Sequence, residues 1–126
     1  MNNVMVDLET LGTRPGCIVL SIGAVLFDET GTGEEFYCEI SQDSCRLFGL
    51  HADPNTLGWW KKQNDQAKEV LWRTRDGGMK LPDAAEAFSD WLKLHISGAK
   101  LVWGDGADFD NTILTEAFRV AAFYPP

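Results

Sequence analysis

The chain has 126 residues, of which 44% are hydrophobic and 24% are charged. This size and balance are typical of a soluble globular protein, so we expect one domain spanning residues 1–126. A net charge of −8 argues against a general nucleic-acid binder that works through its average field. Since no apolar run approaches the roughly 20 residues that span a bilayer and no secretory signal begins the chain, we expect a cytoplasmic protein without a membrane partner.

The cysteines and the basic residues add detail to this overall composition and charge. The three cysteines are odd in number and lack zinc-site spacing, so we expect all of them to be reduced. Six of the eleven basic residues lie between positions 61 and 80, namely Lys61, Lys62, Lys68, Arg73, Arg75 and Lys80. A solvated helix face is the conservative interpretation of this cluster, and a footprint for a phosphate backbone is the functional one.

The first third of the chain predicts three strands in a meander. Residues 4–8 alternate, with Val4, Val6 and Leu8 on one side and Asp7 and Glu9 on the other. Residues 18–27 are almost continuously apolar, as in a strand covered on both faces. A turn over 28–33 then leads into an alternating strand over 36–40.

The remaining chain predicts helices and one further strand. Residues 57–71 have roughly helical spacing with a break near Gly58 or near Asn64 and Asp65, and a helix starting at Pro82 carries an apolar stripe that ends at His95. A strand over 100–103, a loop over 104–107 and a final helix from Asp108 or Phe109 follow. Strands in a run followed by helices and a β–α unit predict an α/β fold, a mixed sheet with helices packed on it.

Asp7 and Glu9 are two residues apart on a strand, so both carboxylates face the same side. Neighbouring carboxylates repel each other unless a cation lies between them, and such hard oxygen ligands suit Mg²⁺ or Mn²⁺. The Asp-x-Glu triplet is by itself a weak signal, because such triplets are common on exposed strand faces. The apolar residues beside the triplet strengthen this signal, since they favour a central strand of the sheet.

The start of the final helix is rich in aspartate. Asp105 and Asp108 fit helix capping, because Asp is favoured at a helix N-terminus. Asp110 fits capping less well, since it lies on the same side of the helix as Leu114 and Ala117. Asp110 is therefore expected to face the core.

Four segments together resemble the DEDD 3′–5′ exonucleases. Residues 7–10 (Asp-Leu-Glu-Thr) resemble the first motif of that superfamily, and residues 103–114 resemble the second, with Asp110 at its key position. Residues 20–25 and 56–63 are similar to segments of the phage and mycobacterial exoribonuclease branch. The resemblance implies an RNase H-like fold.

The resemblance also implies a two-metal mechanism. Two divalent cations, Mg²⁺ or Mn²⁺, would hold the scissile phosphate, with Asp7 bridging them and with Glu9 and Asp110 completing their shells. Thr10 and Leu11 would clamp the terminal nucleotide, and Trp59 is a candidate stacking surface. Trp60 is assigned mainly to the core. Expected partners are single-stranded nucleic-acid 3′ ends or a nucleoside monophosphate.

The last motif of the superfamily has no counterpart in these residues. It places a general-base histidine shortly before a fourth aspartate, whereas His51 and His95 both precede Asp110 and lack that spacing. We therefore expect an exonuclease domain that lacks its C-terminal catalytic segment, unless a partner subunit or another residue completes the site. Weak or absent activity follows from the missing base.

Two further expectations depend on that missing segment. Apolar surface left uncovered predicts self-association into a homo-oligomer. The alternative function is a metal- and nucleotide-binding or self-associating module without turnover. The residues do not distinguish RNA from DNA, because that choice depends on contacts to the 2′-hydroxyl.

Overall fold

Four strands form one mixed sheet in a computed structural model that describes residues 3–95, 101–104 and 109–123, with only the backbone described at 101–104, Phe109 and Phe123. The strands are β1 (Asn3–Thr10), β2 (Val19–Asp28), β3 (Gly31–Glu39) and β4 (Leu101–Gly104). Their order is β3-β2-β1-β4, with β1, β2 and β3 antiparallel and β4 parallel to β1. The predicted meander and mixed α/β sheet are confirmed.

Five helices connect and cover the strands: α1 (Gln42–Leu47), α2 (Pro54–Lys61), α3 (Asp65–Asp76), α4 (Leu81–His95) and α5 (Phe109–Phe123). The predicted break lies at Asn64, whose side chain caps α3, whereas Gly58 lies inside α2. The short helix α1 was not predicted. The proposed cap at Asp108 lies outside the described residues. Among those that are described, no helix is both long and apolar enough to cross a membrane.

One face of the sheet holds the main core. The predicted alternation of β1 is confirmed, because Val4 and Val6 are fully buried and Leu8 nearly so. Helices α4 and α5 pack on this side, where the rings of Phe36 and Phe88 lie 5.2 Å apart. The apolar set of β1 is thereby removed from water, which fixes which side of the strand carries its carboxylates.

The opposite face of the sheet carries the polar residues of β1. Asp7 pairs with Gly23 of β2, and Glu9 pairs with Ser21. Helix α3 packs against β2 and covers part of this face. Since α3 leaves the end of β1 open, both acidic side chains are exposed there.

The three cysteines, Cys17, Cys38 and Cys45, are all buried and free, which confirms that they form no disulfide. Burial raises the pKa of the Cys38 and Cys45 thiols to about 11. Both thiols are therefore protonated at neutral pH and unreactive.

Gly78 supports the junction between α3 and α4 in a conformation that other residues rarely adopt. Its φ is +99°, and a Cβ there would lie 2.7 Å from the Ser41 nitrogen and 2.9 Å from the Ile40 carbonyl carbon. We expect Gly78→Ala to lower the free energy of unfolding by about 2 kcal/mol or more in urea denaturation. Gly58→Ala is the control, because a Cβ there meets nothing within 4 Å and should stabilise α2 by about 0.5–1 kcal/mol. Equal effects of the two substitutions would contradict this explanation.

Candidate active site

The predicted carboxylates Asp7, Glu9 and Asp110 lie near enough to one another at the end of β1 for both aspartates to act electrostatically on Glu9. Asp7 and Glu9 project from the exposed face of that strand, and Asp110 lies in the first turn of α5. Asp110 is 2% exposed, so its predicted orientation toward the interior is confirmed. Since β4 runs parallel to β1 and α5 packs against both strands, the start of α5 comes close enough to act electrostatically on Glu9.

The negative charges of the three carboxylates repel one another. The pKa of Glu9 is raised above its ordinary value by burial first, then by the negative charge of Asp7, and then by that of Asp110. A divalent cation would relieve this repulsion, and carboxylate oxygens are ligands that Mg²⁺ and Mn²⁺ accept. Within the described ranges, however, no three potential ligands lie close enough together to hold a metal ion as arranged.

A pocket of about 550 Å³ opens beside Glu9. Its lining includes Thr10 and Trp59, two of the predicted substrate-binding residues. The Trp59 side chain is 55% exposed, so its ring is available to a ligand. The other polar residues of the lining come from the loop after β1 and from the start of α2, and they include Thr13, Arg14, Asp53, Asn55 and Thr56.

Trp60 also lines this pocket and fixes its wall. It is 3% exposed, which confirms its assignment to the core. Its Nε1 donates a hydrogen bond of 2.9 Å to the backbone carbonyl of Thr10, and its ring meets that of Trp59 edge to face at 5.3 Å. The Thr10 hydroxyl donates in turn to the carbonyl of Gly12 at 2.7 Å. The end of β1 and the exposed Trp59 ring are therefore held in one unit.

Leu11 lies differently from the other predicted substrate-binding residues. Its side chain is fully buried, and it is not among the lining residues of the pocket. Its N–H donates to the carbonyl of Ile18, and its own carbonyl accepts from the N–H of Asp53. Leu11 thus ties β2 and α2 together, and a contact with a nucleotide stays a prediction.

A second pocket, of about 250 Å³, lies on the other side of Glu9 and was not predicted from the sequence. Glu9 and Asp7 line it together with Ser21, Gly23 and Tyr37 of the neighbouring strands. Helix α3 closes it with Gln66, Ala67, Val70 and Arg73. The alternation of residues 36–40 placed Tyr37 and Glu39 on one side of β3, but the pairing of β3 with β2 was needed to bring them beside Asp7.

One basic residue of the cluster between positions 61 and 80 is held in an ion pair beside this pocket. Arg73 donates to both carboxylate oxygens of Glu39, at 2.9 Å and 2.6 Å. The Tyr37 hydroxyl donates to the same carboxylate at 2.6 Å. Arg73 holds the pKa of Glu39 below its usual range, so the three side chains form a fixed charged group at neutral pH.

Neither histidine lies beside the carboxylates. The His51 backbone pairs with Cys17, and its side chain is exposed at a separate pocket. His95 ends α4, where its ring lies 5.3 Å from that of Trp91, in keeping with its predicted packing role. No histidine lines either pocket at Glu9, as far as the described part of the chain extends.

Glu9→Gln should raise the melting temperature of the chain in a chelator at neutral pH, because it removes one of three repelling charges. A carboxyl with a raised folded-state pKa destabilises the folded chain above that pKa, and the penalty disappears as pH falls toward the unfolded value. The gain should therefore shrink toward zero near about pH 4. Glu35→Gln, on an exposed edge of β3, is the control. An equal gain in both variants at neutral pH would contradict this.

Comparison with known proteins identifies the family of the chain. The chain is 26% identical, over an alignment of 133 residues, to an exodeoxyribonuclease of Enterobacteria phage T4. The alignment covers 94% of this chain and 56% of the phage protein, so the chain spans about half the length of that curated relative. Residues 2–126 match the 3′–5′ exoribonuclease Rv2179c-like domain. The chain therefore belongs to the Rv2179c-like 3′–5′ exoribonuclease domain family.

Proposed function

We propose that the chain removes nucleotides from the 3′ ends of single-stranded nucleic acid by hydrolysing phosphodiester bonds at a divalent-cation centre. The observation that carries this proposal is the electrostatic proximity of three carboxylates, one of them at a separate and buried helix position, beside a pocket with an exposed tryptophan. Membership of an exoribonuclease domain family supports it. The sheet and helices would then be those of an RNase H-like DEDD enzyme.

The cations would be held by Asp7, Glu9 and Asp110. When bound, two Mg²⁺ or Mn²⁺ ions supply Lewis acids that activate water and stabilise the leaving 3′ oxygen. Asp7 and Glu9 are exposed and Asp110 is buried, so binding a cation would require the two exposed side chains to turn toward Asp110. Asp7 would help to hold both ions, and their positive charge would offset the burial and the repulsion that raise the pKa of Glu9.

The 3′-terminal nucleotide would occupy the pocket of Thr10 and Trp59. Its base would lie against the exposed Trp59 ring, and stacking of this kind contributes roughly 1–3 kcal/mol. The ring is already packed against Trp60, so little side-chain freedom is lost on binding. Leu11 would act indirectly, by holding α2 against the end of β1. A nucleoside monophosphate, the product of such a reaction, would bind in the same place.

A binding module without turnover is the second candidate. It is favoured by the position of the two histidines, since no imidazole lines a pocket at Glu9 in the described residues. A missing general base typically lowers a rate by 10²–10⁴-fold. We therefore propose slow turnover for this chain, with nucleotide binding retained. Self-association and a cytoplasmic location stay predictions.

Shortening of 5′-labelled single-stranded oligonucleotides tests the proposed reaction. With Mn²⁺, we expect a ladder that shortens from the 3′ end, and Asp7→Ala should slow it by at least roughly a hundredfold, because several kcal/mol of transition-state stabilisation are lost. The matched control is Asp43→Ala, an exposed aspartate of α1. RNA and DNA strands of one sequence should be run in parallel, since the family is described as exoribonuclease and the phage relative as an exodeoxyribonuclease.

Two results of this assay would reject parts of the proposal. Equal shortening by the wild type and by Asp7→Ala would reject the carboxylate assignment. No shortening by the wild type, together with retained binding of a nucleoside monophosphate, would favour the binding module over the enzyme.

A further inference from the structure

The second pocket at Glu9 has a floor that is built from two rows of paired residues. Across β1, β2 and β3, Asp7 pairs with Gly23, which pairs with Tyr37. Directly paired residues of antiparallel strands point to the same face of the sheet. This row therefore presents a carboxylate, then a glycine without a side chain, and then an aromatic ring. In the next row Ser21 lies between Glu9 and Glu39. The small residues of β2 therefore leave a trough between the carboxylates and Tyr37, with the buried Ser21 at its floor and α3 along one wall.

Sheet packing does not require a glycine in this trough. A Cβ at Gly23 would lie 3.6 Å from the Asp7 carbonyl oxygen and 4.0 Å from Cδ1 of Tyr37, which are ordinary contact distances. Glycine inside a strand usually weakens it, and it often marks a place where a ligand approaches closely. The effect of Gly23 here is to keep the surface between Asp7 and Tyr37 accessible.

Tyr37 presents an exposed ring in a fixed orientation. Its side chain is 60% exposed, an unusual position for a large aromatic residue. Its hydroxyl is held by Glu39 at 2.6 Å, and Arg73 in turn holds Glu39 by the two hydrogen bonds described above. A ring whose polar end is fixed and whose face is open loses little freedom when a flat ligand stacks on it.

The charge of the trough favours an uncharged group over a phosphate. Asp7 and Glu9 lie at one side, and the one cation among the described lining residues, Arg73, is paired with both Glu39 and Glu69. A phosphate on the Tyr37 side would therefore meet more negative than free positive charge. A base with its sugar is uncharged, and the polar edges of Ser21 and Gln66 are compatible with it.

From this arrangement we infer that the trough is a second nucleoside subsite, which receives the penultimate nucleoside of a single strand with its base stacked on Tyr37. The inference rests on the proposed function, in which the terminal nucleotide lies at Trp59. Glu9 lines both pockets, so the phosphodiester between the two nucleosides would lie at the carboxylates. Tyr37 would thereby help the site prefer a strand end over a free mononucleotide.

Binding of adenosine 5′-monophosphate and of the dinucleotide ApA tests this subsite. Calorimetric titrations in Ca²⁺, with the dinucleotide checked for integrity afterwards, should show the wild type binding ApA roughly 5- to 100-fold more tightly than the monophosphate. In Tyr37→Ala the ratio of the two dissociation constants should fall to near one. Gly23→Ala should lower the same ratio by filling the trough, while Tyr37→Phe, which keeps the ring, should retain most of it.

Trp59→Ala separates this inference from the proposed function, because it should weaken both ligands together. An unchanged ratio in Tyr37→Ala, with both ligands still weakened by Trp59→Ala, would overturn the second subsite and leave the proposed function intact. A ratio of one between the two dissociation constants of the wild type would also overturn the second subsite and leave the proposed function intact. Failure of the wild type to bind either ligand would overturn both.

Discussion

The alternation of β1 is the constraint on which the site depends. Val4, Val6 and Leu8 are removed from water against α4 and α5, and a shift of one residue in register would expose all three. Because that side of the strand is fixed by the core, the other side must present Asp7 and Glu9 together. The energy that holds two repelling carboxylates side by side therefore comes from apolar burial on the opposite face of the same strand.

Hydrogen bonds and an ion pair then fix the residues of the two pockets beside β1. The indole of Trp60 fixes the end of β1 on one side of Glu9, and the Arg73–Glu39 pair fixes Tyr37 on the other. Trp60 and Arg73 each also line the pocket that they support. An exposed aromatic ring lies at each pocket, Trp59 at the first and Tyr37 at the second.

The features that could be predicted from the sequence are those that local periodicity determines. The alternation of β1, the apolar run of β2 and the helical spacing around Asp110 each determine which way a side chain faces within a few residues, so the fold class and the facing of Asp7, Glu9 and Asp110 could be predicted. Helix α1 was not, because its buried residues include Gln42 and Ser44, whose long-range hydrogen bonds leave no apolar period. The trough at Tyr37 depends on pairing across three strands, and the burial of Leu11 depends on contacts with β2 and α2.

We propose that Asp7, Glu9 and Asp110 together bind a divalent cation. Titration of Mn²⁺ into the protein, followed by the electron paramagnetic resonance signal of free Mn²⁺, measures this without any requirement for turnover. The account predicts that the wild type removes Mn²⁺ from solution and that Asp110→Asn binds it at least about tenfold more weakly, because a buried ligand charge is lost. A free Mn²⁺ signal that the wild type leaves undiminished, or equal binding by both proteins, would contradict it.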